Sequence, residues 1–265
     1  MGLLNSKTFW FNERDLSSFG MRIAWFDTPE TEVFSMEREI IRGEPNSIRR
    51  SPNQYGVSYT SIPISLGIAK DPCYGIDMEI SYDESRAINK WLAGTGLYQD
   101  LIFDGVDDVY HVVCTRITDV TYGGRDGKLI EFESNSPYAF SKSKTEVVPI
   151  VDSPTTLRIF NNTDDTSDYY PIWHIKAIDS YIKIENLEDN SLCELNFATL
   201  GTNEIILDGQ HFRVTDKNGV VIPFYKMNWD HAQWPHFVPG LNNIKITGKC
   251  NLSITYHFAR RVGVL

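Results

Sequence analysis

Short turn dipeptides between apolar runs are the sequence feature that most constrains the fold. Asp208-Gly209 separates the apolar run 204–207 from the run 211–215, and Asn218-Gly219 separates the latter from the run 220–224. Asp-Gly and Asn-Gly pairs accept the positive φ values of tight hairpin turns, and they indicate hairpins where apolar runs flank them. This segment therefore predicts antiparallel β structure.

The same pattern extends over most of the chain. Leu252, Ile254, Tyr256 and Phe258 alternate onto one face, as expected of a half-buried antiparallel strand. Further strands are predicted at residues 101–103, 109–120, 128–132 and 244–246. The fold class is therefore predicted to be mostly β, with two β-sandwich or barrel-like domains.

One helix is predicted in the first half of the chain. It runs from Asp83 to about Leu92, and Ser81 or Asp83 would supply its N-cap. Ile88, Trp91 and Leu92 have the i, i+3, i+4 spacing that places them on one helical face. The first domain is therefore predicted to contain a single short α-helix.

The chain divides near residues 134–144, a stretch rich in Ser, Lys and Pro that is typical of an exposed connection. Residues 1–138 hold 13 basic and 21 acidic residues, which is a net charge of −8. Residues 139–265 hold 12 and 14, which is a net charge of −2. The predicted domains are 1–138 and 139–265, and most of the total charge of −10 lies in the first.

Composition disfavours several classes of protein. No run approaches the roughly 20 apolar residues that a membrane span requires, and no basic start precedes an apolar run as it would in a signal peptide. The charge of −10 disfavours binding to nucleic acid phosphates, which requires clustered Lys and Arg. The sequence therefore predicts neither membrane insertion nor a typical DNA-binding protein.

The cysteines are too widely spaced to suggest a zinc site. Cys73, Cys114, Cys193 and Cys250 form no C-x-x-C pair, whereas zinc ligands usually occur in close pairs. Four separate reduced or buried thiols are the preferred interpretation. No metal and no cofactor are predicted.

Catalytic motifs are absent from the sequence. It contains no G-x-S-x-G, H-E-x-x-H or G-x-x-x-x-G-K-[ST] motif. Asp104, Asp107 and Asp108 would offer carboxylates to a glycosidase, but that chemistry requires a defined separation within a cleft. The Asp- and Asn-rich segment 161–168 lacks the glycine and glutamate of a calcium loop. The protein is therefore predicted not to be an enzyme.

The segment 229–237 is a candidate carbohydrate-binding site. Trp229 and Trp234 would stack on the apolar faces of a sugar, and His236 would bind hydroxyl groups. The alternative is that the tryptophans close the end of a β-sandwich, because buried aromatic rings supply much of a core's area.

Three stretches of the chain occur in an order that resembles one known family. They are Phe9–Asn12 with Leu16–Ile23, Ile88–Leu92 with Tyr98–Asp104, and Pro239–Gly248 with Ile254–Phe258. They are similar to the opening F-x-F-N…S-x-x-F-G-I pattern, the K-W-L helix and the closing G-x-N-x-I…Y-R-F pattern of the distal tail proteins (Dit) of long, non-contractile-tailed phages and prophages. His257 stands where this family often has Arg.

This resemblance implies a structural protein of the phage tail tip, assembled in the cytoplasm of the bacterial host. The N-terminal domain would form a homo-hexameric ring, single or stacked, between the tail tube protein and a tail-tip fibre or lysin protein. The C-terminal domain would be a peripheral β-sandwich of galectin-like or carbohydrate-module-like shape, and a host surface carbohydrate is a further candidate partner.

The ring that the resemblance implies gives the charge distribution a physical role. DNA would pass through the ring without specific binding. Because most of the net negative charge lies in residues 1–138, we expect carboxylates to line the channel and to repel the phosphates.

Overall fold

A computed structural model of the chain describes residues 6–26, 37–38, 57–58, 62–73, 79–94, 96–122, 125–223, 226 and 233–261. The chain forms two compact units. The N-terminal unit comprises residues 1–140 and 261–265, and the C-terminal unit comprises residues 141–260.

Antiparallel strands make up most of both units. The first ten strands are β1 (Phe9–Phe11), β2 (Arg14–Asp15), β3 (Met21–Phe26), β4 (Glu37–Arg38), β5 (Val57–Ser58), β6 (Pro63–Lys70), β7 (Gln99–Phe103), β8 (Asp108–Tyr122), β9 (Arg125–Ser134) and β10 (Ala139–Ser141). They are followed by β11 (Lys144–Ile150), β12 (Thr155–Asn161), β13 (Ile172–Ala177), β14 (Tyr181–Asn186), β15 (Ser191–Asn196), β16 (Glu204–Asp208), β17 (Arg213–Asp216), β18 (Gly240–Thr247), β19 (Cys250–Tyr256) and β20 (Ala259–Arg260). The helices are α1 (Tyr82–Ala93), α2 (Phe197–Leu200) and a 3-10 helix, Leu16–Phe19.

The N-terminal unit is built on one antiparallel sheet, in which strands follow the order β2-β1-β7-β8-β9-β6-β3. The predicted hairpins of the first half correspond to β7–β8 and β8–β9, whose residues pair in antiparallel register. The strands predicted at 101–103, 109–120 and 128–132 are therefore confirmed.

The helix α1 covers one face of this sheet. Ser81 caps it, because the Ser81 hydroxyl accepts a hydrogen bond from the Glu84 amide while the Glu84 carboxylate accepts one from the Ser81 amide. Ile88, Trp91 and Leu92 are buried, as their spacing predicts. The largest cause lowering the pKa of Glu84 is the hydrogen bond from the Ser81 backbone.

A cluster of aromatic rings packs beneath α1. The Trp91 ring stacks on Phe9 and Phe19, with centroids 5.6 and 4.8 Å apart, and meets Phe11 edge-on at 6.1 Å. Its indole N–H donates to the carbonyl oxygen of Phe11 at 2.9 Å. Trp91 therefore joins the helix to strand β1 both by packing and by a hydrogen bond.

The C-terminal unit contains two antiparallel sheets, in the orders β11-β19-β13-β16-β17 and β12-β18-β14-β15. Burial alternates along the strands, as it does at Leu252, Ile254 and Tyr256 of β19. These residues share one core cluster with Ile184 and Ile246 of the other sheet. The two sheets thus form a sandwich whose core is mostly aliphatic.

The structure corrects two expectations from the sequence. The run predicted as a strand at 220–224 pairs with β17 only briefly within its described part: Val221 bridges Thr215, the Asp216 amide donates to the Val220 carbonyl, and the Ile222 amide donates to the Val214 carbonyl. The predicted hairpin at Asn218-Gly219 therefore forms, but the pairing is too short for a regular strand. Pro223 lacks the amide hydrogen that a continued ladder would need. The stretch predicted to be an exposed connection instead buries Tyr138 and Ala139 and includes strand β10.

The mostly β fold class is confirmed. The longest helix that the structure describes has 12 residues, and none in this part of the chain combines the length and apolar character of a membrane span. All four cysteines are free thiols, and burial raises the pKa of the Cys193 thiol to about 12.

Candidate functional site

The predicted carbohydrate-binding segment is described from Gln233 onward, and Trp229 lies outside the described residues. Phe237 forms an isolated antiparallel bridge with Tyr169, with both amide-to-carbonyl distances at 2.8 Å. The indole N–H of Trp173, which is fully buried, donates to the carbonyl oxygen of Pro235 at 3.2 Å. The segment is therefore tied to the sandwich core, although its described part, from Gln233 onward, contains no strand of the two sheets.

His236 is a buried anchor of this segment. Its Nε2 lies 2.6 Å from Oδ2 of Asp189, and its Nδ1 lies 2.8 Å from the carbonyl oxygen of Trp234. The Asp168 carboxylate is 3.8 Å from Nε2, and the Tyr170 ring lies against the imidazole. Only 5% of His236 is exposed, and both ring nitrogens have partners within the protein.

The surroundings of Asp189, the carboxylate that contacts His236, lower its pKa. Partial burial alone would raise its pKa, but hydrogen bonds from the Ser191 backbone and side chain, together with His236, lower the pKa below its usual value. Asp189 therefore favours its charged form beside the imidazole.

The buried side-chain amides of Asn186 and Asn242 hold the segment by hydrogen bonds. The Asn186 side chain donates to the carbonyl oxygen of His236 at 3.2 Å and to Oδ1 of Asn242 at 2.8 Å. The Asn242 side chain accepts from the Val238 amide and donates to the Val238 carbonyl, both at 2.8 Å. These contacts satisfy backbone groups that have no ladder partner here.

Three aromatic side chains lie at the surface of this region: Tyr170, Phe212 and Trp234, named here the aromatic trio. The Phe212 centroid is 5.1 Å from that of Tyr170 and 5.5 Å from that of Trp234. Phe212 is 43% exposed and has a φ of 49°, which is uncommon for a non-glycine residue. Trp234 is partly buried and packs against the core.

Sequence reasoning identified Trp234 and His236 but missed Tyr170 and Phe212. Phe212 lies in the run 211–215, which was predicted to be a strand, whereas β17 begins only at Arg213. Phe212 lies just before this strand with a positive φ, and its ring contacts that of Trp234 edge-on. No pattern of spacing indicates such a conformation, because it depends on the turn geometry.

The acidic residues considered for a glycosidase do not form a described cleft. Oδ1 of Asp104 accepts hydrogen bonds from the amides of Lys7 and Thr8, at 2.7 and 3.1 Å, and so holds the segment before β1. Within the part of the chain that the structure describes, no group of three His, Cys, Asp or Glu residues is placed to hold a metal ion.

The N-terminal unit contains a buried charge beside a polar cavity. The Lys128 ammonium donates to the Ser85 hydroxyl at 2.7 Å and also contacts the Asp119 carboxylate, while its side chain is only 1% exposed. A cavity of about 240 Å³ adjoins this pair, lined by Ile80, Ser85, Asp119, Val120, Thr121, Asp126 and Gly127. The ion pair and hydroxyl compensate the buried charge, so a structural role explains Lys128.

Two protein-family models match consecutive parts of the chain. Residues 4–136 match the model of the phage tail protein N-terminal domain, and residues 138–256 match the model of the phage tail C-terminal domain. The chain belongs to this phage tail protein family. Together the two matches include most of both units, the candidate carbohydrate-binding segment among them.

Solved structures show the fold of this phage tail protein. It resembles the Dit protein of phage SPP1, described as a paradigm of the hub adsorption apparatus in phages that infect Gram-positive bacteria, with a TM-score of 0.61 and 14% sequence identity. The match covers 95% of this chain and 98% of that one, and it confirms the distal tail protein resemblance.

A weaker likeness connects the phage tail protein to a baseplate. A chain of the phage P2 baseplate in its activated conformation with calcium has 9% identity and a TM-score of 0.47, covering 96% of this chain and 99% of that one. That score is too low to support a conclusion. No curated protein sequence matches the chain.

Proposed function

We propose that this phage tail protein is a structural component of the virion that forms a ring of six copies at the distal end of the tail. The carrying observation is that both halves match phage tail domains while the whole chain shares the fold of the SPP1 hub protein. Its role is to join the tail tube to the tail-tip and host-recognition proteins, without catalysis.

The two halves divide this role. Residues 1–138 form the ring, and residues 139–265 form a peripheral sandwich, galectin-like in shape. Supporting this division, the two family matches adjoin at residues 136 and 138. The protein is assembled in the host cytoplasm and then resides at the tail tip.

The ring leaves a channel through which DNA passes without specific binding. The net charge of −8 on residues 1–138 supports this proposal, because carboxylates in the bore repel phosphates. A reconstruction of the assembled ring by electron microscopy would place these side chains. Carboxylates confined to the outer rim, with a neutral or basic bore, would contradict a repulsive channel.

Solution mass and electron microscopy of the full-length protein test the ring itself. We expect a closed particle of about six copies with a central opening, as the family resemblance implies. A protein that stays monomeric at high concentration, alone and with its tail tube protein, would reject ring formation.

Carbohydrate binding by the C-terminal unit is a second candidate function. It is favoured by the aromatic trio, because Phe212 is held exposed at a positive φ beside Trp234. Exposed rings of this kind stack on the apolar faces of sugars. The buried His236 would act by positioning Trp234, whose carbonyl it contacts.

Titration of the full chain with host cell-wall polysaccharides tests this second function. We expect Phe212→Ala to weaken binding at least tenfold, whereas Phe160→Ala, at a 66% exposed position elsewhere in the same unit, should leave it unchanged. Equal affinities of both variants and the unmodified protein, or no binding at all, would assign the aromatic trio to structure alone.

A further inference from the structure

The exposed face of α1 carries a short stripe of interface-type side chains. Tyr82, Arg86 and Lys90 follow one another at i, i+4 and i+8, so they lie on one side of the helix. This side points away from the face that buries Ile88 and Trp91. We name Tyr82, Arg86 and Lys90 the α1 stripe.

The α1 stripe is open to solvent within the chain. Tyr82 is 82% exposed, and Arg86 and Lys90 are both exposed. Among the described residues neither Arg86 nor Lys90 has a carboxylate partner. By contrast, Lys70 pairs with Glu84 at 3.1 Å, and Lys128 pairs with Asp119.

The α1 stripe lies in the half of the chain that carries the opposite net charge. The predicted ring-forming half has 21 acidic and 13 basic residues, so carboxylates are in excess around them. Carboxylates that could pair with the α1 stripe are therefore abundant on the same region of another copy. Exposed carboxylates there include Asp119, whose side chain is 80% exposed.

We propose that the α1 stripe is a contact surface for the acidic N-terminal unit of a neighbouring copy of this chain. A closed cyclic assembly places one patch of each subunit against a different patch of the next, and a basic stripe against an acidic surface satisfies that requirement. Tyr and Arg are also the residue types enriched at the energetic centres of protein interfaces.

The charge distribution favours a second copy of the chain over DNA as the partner of the α1 stripe. Two basic residues on a helix neutralise few phosphates, and the surrounding half carries a net charge of −8 that repels a polyanion. Tyr82, which is 82% exposed, adds an apolar ring that a protein surface would bury. A second copy of the chain therefore fits the α1 stripe better than nucleic acid does.

The inference rests on the proposed ring, and charge reversal tests it. The variant Arg86→Glu with Lys90→Glu is compared with Lys217→Glu with Lys249→Glu, which makes the same change of charge at exposed positions of the C-terminal unit. Both are full-length chains, and circular dichroism and thermal unfolding establish that each folds. Mass photometry at several protein and salt concentrations then measures assembly.

We expect the unmodified protein and the C-terminal control to assemble, and the α1 variant to need at least a tenfold higher concentration. A separate variant that keeps both positive charges, Arg86→Lys with Lys90→Arg, should assemble like the unmodified protein. Tyr82→Ala should weaken assembly while preserving its dependence on salt, because the charges remain.

Three results would overturn the inference. If the α1 variant assembles like the unmodified protein, the ring stands and the α1 stripe is not its contact. If the α1 variant assembles normally but loses binding to duplex DNA at low salt, the stripe contacts nucleic acid. If the unmodified protein never assembles, the ring and the α1 contact both fail.

Discussion

The two units attach a non-strand element to their sheets by different means. In the N-terminal unit, a helix is fixed over one sheet by an aromatic cluster around Trp91, with ring centroids 4.8 to 6.1 Å away. In the C-terminal unit, two sheets bury mostly aliphatic side chains against each other. Residues 233–238, named here the closing segment, contain no strand of either sheet and are held by a network of buried amides around Asn242.

This difference locates the weak point of each unit. In the N-terminal unit the Trp91 ring makes the aromatic contacts that attach α1 to the sheet, so a cavity there should loosen the helix from the sheet. The C-terminal unit spreads its packing over many aliphatic residues, but its closing segment depends on side-chain hydrogen bonds in place of a ladder. The N-terminal unit should therefore be sensitive to lost volume, and the closing segment to lost polar contacts.

The largest effect is expected from Trp91→Ala. The substitution removes the stacked ring and the hydrogen bond to the Phe11 carbonyl, and it should lower the free energy of unfolding of the N-terminal unit by about 3–5 kcal/mol. Hydrogen exchange read by mass spectrometry on the full chain should show faster exchange in α1 and β1, with the C-terminal unit unchanged.

Trp10→Ala is the matched control, because Trp10 lies in the same strand as Phe11 but is 38% exposed. We expect a loss below about 1 kcal/mol there, as is usual for surface positions. Similar losses for both tryptophans would show that ring burial is not what fixes the helix.

A smaller effect is expected from Asn242→Ala. The fully buried Asn242 side chain satisfies both backbone groups of Val238, so its removal should cost about 2–3 kcal/mol and should loosen the segment 233–238 first. Asn243→Ala, at the next position, removes only an exposed hydrogen bond to Glu188 and should change stability by less than about 0.5 kcal/mol. Denaturant unfolding followed by hydrogen exchange distinguishes the two variants.

Local patterns predicted much of the fold because the determining interactions are local. The Ser81 cap and the buried spacing of Ile88 and Trp91 depend on residues within three or four positions of one another. The runs on either side of Asp208-Gly209 pair as β16 and β17, but the connection spans residues 209–212 and its positive φ lies at Phe212, so the tight turn predicted at this dipeptide is wrong. The hairpin at Asn218-Gly219 does form, since Gly219 has a φ of 81° and the Asp216 amide donates to the Val220 carbonyl. The strand predicted at 220–224 is limited to a bridge because Pro223 cannot donate to a longer ladder.

The candidate site was less predictable because it is assembled from distant positions. His236 contacts Asp189, 47 residues away, and Trp234 contacts Phe212 from a different connection. Spacing along the chain carries no information on such pairs. The sequence could propose Trp234 and His236 from their types, but only the fold shows that one is half-buried at the surface and the other is an internal anchor.

The smallest effect is expected in the pH dependence of the stability of the C-terminal unit. Because the pKa of Asp189 is lowered in the folded protein, its stabilising contribution is present above the ordinary Asp pKa of about 4 and is lost as pH falls through the lower folded value. Asp189→Asn should therefore reduce the fall in stability between pH 5 and pH 3, by about 1 kcal/mol or less, because the carboxylate remains partly solvated.

His236 faces the same carboxylate, and Asp168 also lies near the imidazole, so the double variant with Asp168→Asn separates the contributions of the two carboxylates. Unfolding of the C-terminal unit at several pH values measures this slope, with Asp152→Asn at an exposed position as the control. An unchanged slope in Asp189→Asn would mean that amide hydrogen bonds alone, and not the carboxylate–imidazole pair, hold the closing segment.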